Sequence, residues 1–151
     1  MLELAREVDF EAVRSLSVQI HDIHVAWRPD IYYTCDEPYP KEAFLTDIQN
    51  RMIYVAKVDG VVAGYIRLSV LQKGGAGTVE KKLMRLDSIV VDEKLRGQGI
   101  GRAMITDARA LAKVFGCKQL ILGVHPENDG AVAFYQKCGF YIRTIQMDCN
   151  V

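Results

Sequence analysis

Excess charge of either sign is missing from this chain: Lys plus Arg number 19, Asp plus Glu number 19, and the formal net charge is +0. A balanced chain lacks the field that gathers a polyanion or an anionic bilayer, so neither nucleic acid nor a membrane is an expected partner, and any basic site must be local. No apolar run reaches the roughly 18 residues of a membrane span, and no signal-peptide pattern is present. Cys35, Cys117, Cys138 and Cys149 form no CxxC pair, and the 3 histidines add no paired-ligand spacing, so no metal is expected. Free thiols without an export pattern point to a soluble, cytoplasmic protein. Internal repeats, low-complexity tracts and linkers are lacking too.

What is there is enough for one core. Of the 151 residues, 50% are hydrophobic, which fits a single domain over 1–151. "LELAREVDFEAVRSLSVQIHDIHVAW" reads as a short strand, Asp9 as an N-cap, and a helix with Phe10, Val13, Leu16, Ile20, Ile23 and Trp27 on one stripe. The proline-rich "RPDIYYTCDEPYP" reads as an irregular surface segment of the kind that shapes pockets, ahead of a short helix near 41–50. "MIYVAKVDGVVAGYIRLSVL" is a hairpin turning on Asp59-Gly60. "QKGGAGTVEKK" reads as a flexible connection to a third strand at 83–91, since no helix follows Gly74, Gly75 and Gly77 to make them a phosphate loop. From Gly99 the apolar period changes to 3.6, with Ile100, Met104, Ala108, Leu111, Ala112 and Phe115 on one face and Gly116 as the stop. "KQLILGV" is then a strand, "NDGAVAFYQKCG" a helix, and "FYIRTIQMDCNV" a last strand or strands. The expected order is β-α-α-β-β-β-α-β-α-β, a mixed α/β fold of one sheet with flanking helices.

The stretch "LDSIVVDEKLRGQGIGRAMI", residues 86–105, carries chemistry. A helix that begins directly after a strand exposes unpaired N–H groups and the positive end of its dipole. Gly97, Gly99 and Gly101 clear side chains from the approach, and Arg96 and Arg102 add charge, so the bend suits a pyrophosphate. A dinucleotide fingerprint fails because its last glycine would fall on Arg102, and a Walker loop fails because "GIGRAM" has no Gly-Lys-Ser/Thr. A ligand-free strand-to-helix turn is the plain alternative.

The segment "IVVDEKLRGQGIGRAM", with Arg96-x-x-Gly99-x-Gly101, resembles the acyl-CoA motif of the GNAT superfamily of N-acetyltransferases, and "NDGAVAFYQKCGFYIRT" is similar to that family's second motif. Their separation and element order agree with the family over nearly the whole chain. The resemblance implies a GNAT-like, mostly antiparallel sheet with flanking helices and central strands splayed around the cofactor. It implies acetyl-CoA as co-substrate, with backbone groups of Arg96, Gly97, Gln98, Gly99, Ile100, Gly101 and Arg102 around the pyrophosphate. Ile89, Val90 and Val91 would line the pantetheine arm, opposite a strand at 120–124, with Asn128 near that arm.

Tyr135 matches the family's tyrosine near the thioester sulfur and would protonate the departing thiolate as general acid. Its plain alternative is a half-buried helix residue. Asp87, taken by alternation to share a strand face with Ile89 and Val91, is the candidate base, with a salt bridge to Arg85 as its structural alternative. His21 and His24 could line the acceptor pocket or be structural, and Tyr32, Tyr33, Asp36, Glu37 and Tyr39 form an acidic, aromatic stretch suited to a cationic amine. Cys138 lacks a neighbouring histidine and is a poor nucleophile. The expected activity is N-acetyl transfer by direct attack of a primary amine, on a small molecule or a peptide, in a ternary complex. The alternatives are another acyl donor or a hydroxyl acceptor, or a non-catalytic acyl-CoA-binding module. Family habit adds a homodimer paired at the sheet edge near the C-terminal strands.

Overall fold

The Asp59-Gly60 dipeptide takes positive φ at both positions, 51° and 79°, the geometry that matches the twist of a two-residue hairpin. It joins β2 (Ile53–Val58) to β3 (Val61–Gly75) in a computed structural model that describes residues 2–151. The sheet has 5 strands in the order β1-β2-β3-β4-β5, with β1 at Leu2–Leu4, β4 at Thr78–Val91 and β5 at Gln119–Leu122. All neighbours are antiparallel except β4 and β5, which run parallel because α3 (Ile100–Val114) connects them.

Helices cover both faces. α1 (Phe10–Trp27) and α2 (Lys41–Gln49) pack Phe10, Val13, Leu16 and Phe44 on Ile53, Val55, Tyr65 and Val90. On the other face, Ile100, Met104, Ile105, Ala108 and Ala112 of α3 meet Tyr54, Ile66, Leu68, Met84 and Leu86, with Phe134 and Tyr135 of α4 (Asp129–Lys137) against the same cluster. The α3 stripe is the 3.6-residue period of the sequence, and its burial is what holds the helix.

Three local expectations are corrected. "QKGGAGTVEKK" is no flexible link: β3 and β4 continue through it as a ribbon, paired from Gln72↔Lys82 to Gly75↔Thr78 around Ala76-Gly77. Both sides of this ribbon are exposed, so it carries no hydrophobic alternation to announce a strand. Asp9 precedes α1 without capping it; its carboxylate accepts the Arg6 N–H at 2.8 Å and pairs with Lys57 Nζ at 3.0 Å. Among the described residues, those after Gly139 form no strand. Apolar residues do recur there, but Tyr141, Ile142, Ile145 and Met147 are all solvent-exposed, so the pattern has neither a core to face nor a ladder to join.

Candidate active site

Strand β4 changes character in its middle. Leu83, Met84, Arg85 and Leu86 pair with Gln119, Leu120, Ile121 and Leu122 of β5, and there the ladder between the two strands ends. On its other side β4 stays paired with β3 up to Gly64↔Val91. Residues 87–91 therefore lie along an opening between β4 and the chain that leaves β5. This is the expected splay, and Ile89, Val90 and Val91 are beside it. Backbone groups along such an edge need partners, and an extended amide-bearing arm is able to supply them.

A bulge marks where the opening starts. Arg67 pairs with Ser88 and Leu68 with Leu86, so Asp87 is the extra residue. The bulge breaks the alternation. Ile89 and Val91 pack with Met84 and Leu86 on the α3 face, whereas Asp87 lines a cleft on the α2 face with Asp47 and Arg67. The expectation that Asp87 shares a face with Ile89 and Val91 is thus overturned by one inserted residue. Its carboxylate Oδ1 accepts from Arg85 Nε at 2.5 Å, the salt bridge named as its structural alternative.

After Val91 the chain makes one turn at Glu93–Leu95 and bends through Gly97 (φ 78°) and Gly99 (φ 84°) into α3. Gly99 is the N-cap in a left-handed conformation, and no side chain caps the helix, so its first N–H groups are available to a ligand. A Cβ added at Gly97 or Gly99 would meet nothing within 4 Å; the backbone angle is what selects glycine at both. Gly101 differs, because a Cβ there would approach the Phe134 ring at 3.3 Å. That third glycine serves the contact of α3 with α4. Gln98 and Arg102 are exposed beside the bend, and Arg96 donates from Nε to the Val91 carbonyl at 3.1 Å, tying the bend to the strand end. An open, uncapped helix start next to an unpaired strand edge fits the pyrophosphate and arm of an acyl-CoA.

The second motif forms α4. Asn128 is its N-cap, with Oδ1 accepting the Ala131 N–H at 3.0 Å. Tyr135 lies between the rings of Phe134 (centroids 5.3 Å) and Phe140 (5.7 Å), on the cluster that contains Ile89, Val91 and Leu122. Burial pushes its phenol up to about 12, so it keeps its proton at neutral pH. Cys138 is buried behind it, and its carbonyl accepts from Arg109 Nη2.

On the α2 face, the aromatic segment splits its roles. Tyr33, Asp36 and Glu37 are exposed. Tyr39 is instead a core residue whose hydroxyl donates to Asp47 at 2.7 Å, and burial, reinforced by that carboxylate, raises its phenol above the ordinary range. Asp47 also accepts from Arg67 Nε at 2.6 Å, and the Arg67 guanidinium lies 4.9 Å from the Tyr39 ring centroid.

Tyr32 joins the histidines. It stacks on His24 (centroids 5.3 Å), and its hydroxyl is 3.4 Å from Nε2 of His125, just past β5. His21 Nε2 is 2.8 Å from the Tyr33 carbonyl. Burial, then His125 and His21, holds His24 below the usual 6.5. Among the described residues no group of 3 or more His, Cys, Asp or Glu side chains is arranged to hold a metal. The sequence reading missed the convergence of His125 with His21 and His24, and the cleft around Arg67 and Arg85, because both join segments distant in the chain.

The profile of the Acetyltransferase (GNAT) family matches residues 17–140. Glucosamine 6-phosphate N-acetyltransferase 1 of Oryza sativa subsp. japonica is 31% identical over 117 residues, which cover 73% of this chain and 69% of that protein. An N-alpha-acetyltransferase of Sulfurisphaera tokodaii is 30% identical over 112 residues, covering 69% of this chain and 66% of its own length. Other glucosamine 6-phosphate N-acetyltransferases match over 52%, 44%, 58% and 71% of their lengths. A mutant of the Bacillus halodurans protein BH1408 superposes with a TM-score of 0.95 at 24% identity, over 100% of this chain and 99% of its own. The aminoglycoside N-acetyltransferase AAC(6')-Iy in complex with CoA superposes with a TM-score of 0.72 at 19% identity, covering 100% of both chains. At these identities the two superpositions show the fold; the profile match over residues 17–140, with the 31% identical relative, establishes that the chain belongs to the GNAT family of acyl-CoA-dependent acetyltransferases.

Proposed function

We propose that this protein transfers the acetyl group of acetyl-CoA to a primary amine by direct attack in a ternary complex. The observation that carries this reading is the continuous path from the stretch of β4 that β5 leaves unpaired, through the Gly97–Gly99 bend, to the uncapped start of α3. Bound acetyl-CoA supplies the thioester to be cleaved. Backbone groups at 89–91 hold the arm, those at 96–102 hold the pyrophosphate, and Asn128 caps the helix that presents Tyr135. In the reaction the amine nitrogen forms a bond to the acetyl carbon, the carbon–sulfur bond breaks, and the thiolate takes a proton from the Tyr135 phenol. The surplus amine proton leaves to a base, for which Asp87 is the candidate by its place at the foot of the splay.

Position supports Tyr135 as a donor: it packs on the cluster of Ile89, Val91 and Leu122 beside the opening, and its phenol is in the protonated form at neutral pH. The burial of Cys138 argues for direct transfer without an acyl-enzyme. An amine acceptor is supported by the relatives, which act on glucosamine 6-phosphate in one case and on α-amines in another. A cytoplasmic setting, supported by the 4 free cysteines, and a homodimer paired at the open β5 edge complete the proposal.

The test follows thiol release from acetyl-CoA and from longer acyl-CoAs across a panel of primary amines. Amine-dependent release with acetyl-CoA preferred is expected. Radiolabelled acetyl retained on the denatured protein would exclude direct transfer.

A further inference from the structure

The cleft beside Asp87 holds charges of both signs in a volume of about 530 Å³, lined by Asp47, Asn50, Arg67, Ser69, Arg85 and Asp87 among others. Asp87 is the first residue beyond the last β4–β5 pair, so the cleft adjoins the foot of the opening along which the arm is proposed to lie. Both guanidiniums are held in place. Arg67 is fixed by Asp47 and the Tyr39 ring, and Arg85 by Asp87. In each pair the carboxylate takes the Nε hydrogen; Arg28, by contrast, gives both Nε and Nη2 to Asp30. The Arg67 and Arg85 side chains are 39% and 48% exposed, so their Nη edges remain within reach of a ligand. Ser69 sits across the ladder from Arg85, and its Oγ is buried without a hydrogen-bond partner among the described residues. A buried hydroxyl left in that state is a cost that a ligand oxygen would remove.

We propose that this cleft recognises the acceptor, and that the acceptor is a small zwitterion: a primary amine on a molecule that also carries a phosphate or carboxylate. Arg67, Arg85 and Ser69 hold the anionic group, and Asp47 and Asp87 face the ammonium. Two cations against two carboxylates leave no net charge in the cleft. A polyamine meets two guanidiniums there, and a plain dianion meets two carboxylates. Only a ligand with both charges complements the whole lining. The assignment rests on the acetyl-transfer reading above and names the substrate class for that site.

Matched acceptors test it under saturating acetyl-CoA: ethanolamine with phosphoethanolamine, glucosamine with glucosamine 6-phosphate, β-alaninamide with β-alanine, and spermidine alone. In at least one pair the anionic member is expected to have a kcat/KM about tenfold or more above its neutral partner, mainly through KM. The larger ratio tells phosphate from carboxylate. Arg85→Gln is expected to bring that ratio down by about tenfold, with the KM for acetyl-CoA unchanged, and Ser69→Ala to lower it by about threefold.

Neutral partners equal to their anionic members throughout, spermidine as the best acceptor, or a ratio that survives Arg85→Gln would overturn the proposal and leave acetyl transfer standing. A thermal-shift arm separates the two failures. With CoA present, no stabilisation by any of phosphoethanolamine, glucosamine 6-phosphate and β-alanine overturns the cleft assignment alone; no stabilisation by acetyl-CoA itself overturns the acetyl-transfer reading.

Discussion

The two halves of β4 share one strand and much the same apolar composition, yet they do different work. Leu83–Leu86 is zipped to strands on both sides, and its apolar residues are fully buried. Residues 87–91 keep only β3, and Asp87, Ser88, Ile89 and Val91 remain partly accessible. One inserted residue, Asp87, separates them. The lower half spends its hydrogen bonds and apolar area on the fold, and the upper half leaves some of both for a ligand. A binding edge is made here by withholding a neighbour from a strand whose composition could have accepted one.

The comparison is open to direct attack, and Tyr135→Phe should have the largest effect on the functional half. It removes the proton donor and leaves the ring packing, so kcat is expected to fall about 10²–10⁴-fold with acetyl-CoA binding nearly unchanged. Steady-state kinetics beside a thermal-shift titration would read both. Unchanged turnover would remove the phenol from the mechanism.

Leu86→Ala strikes the structural half. Leu86 is 5% exposed, and its loss is expected to cost about 2–5 kcal/mol in denaturant unfolding. Ile89→Ala, one strand-half away and partly accessible, should cost clearly less stability and more acetyl-CoA affinity. The reverse ranking would erase the distinction between the halves.

A third variant tests the bend that continues the upper half. Gly99→Ala forces a Cβ at φ 84°, at a cost of about 1–2 kcal/mol, and is expected to weaken acetyl-CoA by about tenfold. Tightened or unaltered binding in calorimetry would show that this geometry does not serve the ligand.

Hydrogen exchange sharpens the contrast without mutation. Amides of Leu83–Leu86 should be protected in the free protein, whereas gap-facing amides at 87–91 should gain protection when CoA is added. Equal protection of both halves before CoA would mean that the gap is closed in solution.

The smallest expected effect concerns the far side of the opening, where His125 meets Tyr32 and His24. His24 takes up a proton less readily folded than unfolded, because burial disfavours its cation. Its contribution is therefore full above the unfolded value of 6.5 and declines as pH falls through it. His24→Gln should flatten that slope between about pH 7.5 and 5.5 in thermal melts, and an identical slope in both proteins would contradict the assignment.

The places where sequence and structure part share a cause. Alternation put Asp87 with Ile89, but the bulge that separates them exists only against Arg67 and Leu68 of β3. Periodicity made a strand of "FYIRTIQM", although a strand needs a partner that no local pattern specifies. Gly101 read as clearance for a ligand, and its nearest constraint is the Phe134 ring from 33 positions away. Tyr39 read as a pocket residue of a loop, and a carboxylate on α2 drew it into the core.

What the sequence determined by itself is local in origin: the Asp59-Gly60 turn, the amphipathic stripe of α3, the glycine bend and the spacing of the two motifs. Each depends on backbone preferences or on residues a few positions apart. Tertiary structure alone decided where β4 loses β5, which face Asp87 turns to, and how Arg67, Ser69 and Arg85 come to share a cleft with Asp47. Those depend on register and packing between segments tens of residues apart, where a single inserted residue reverses the face of everything beyond it.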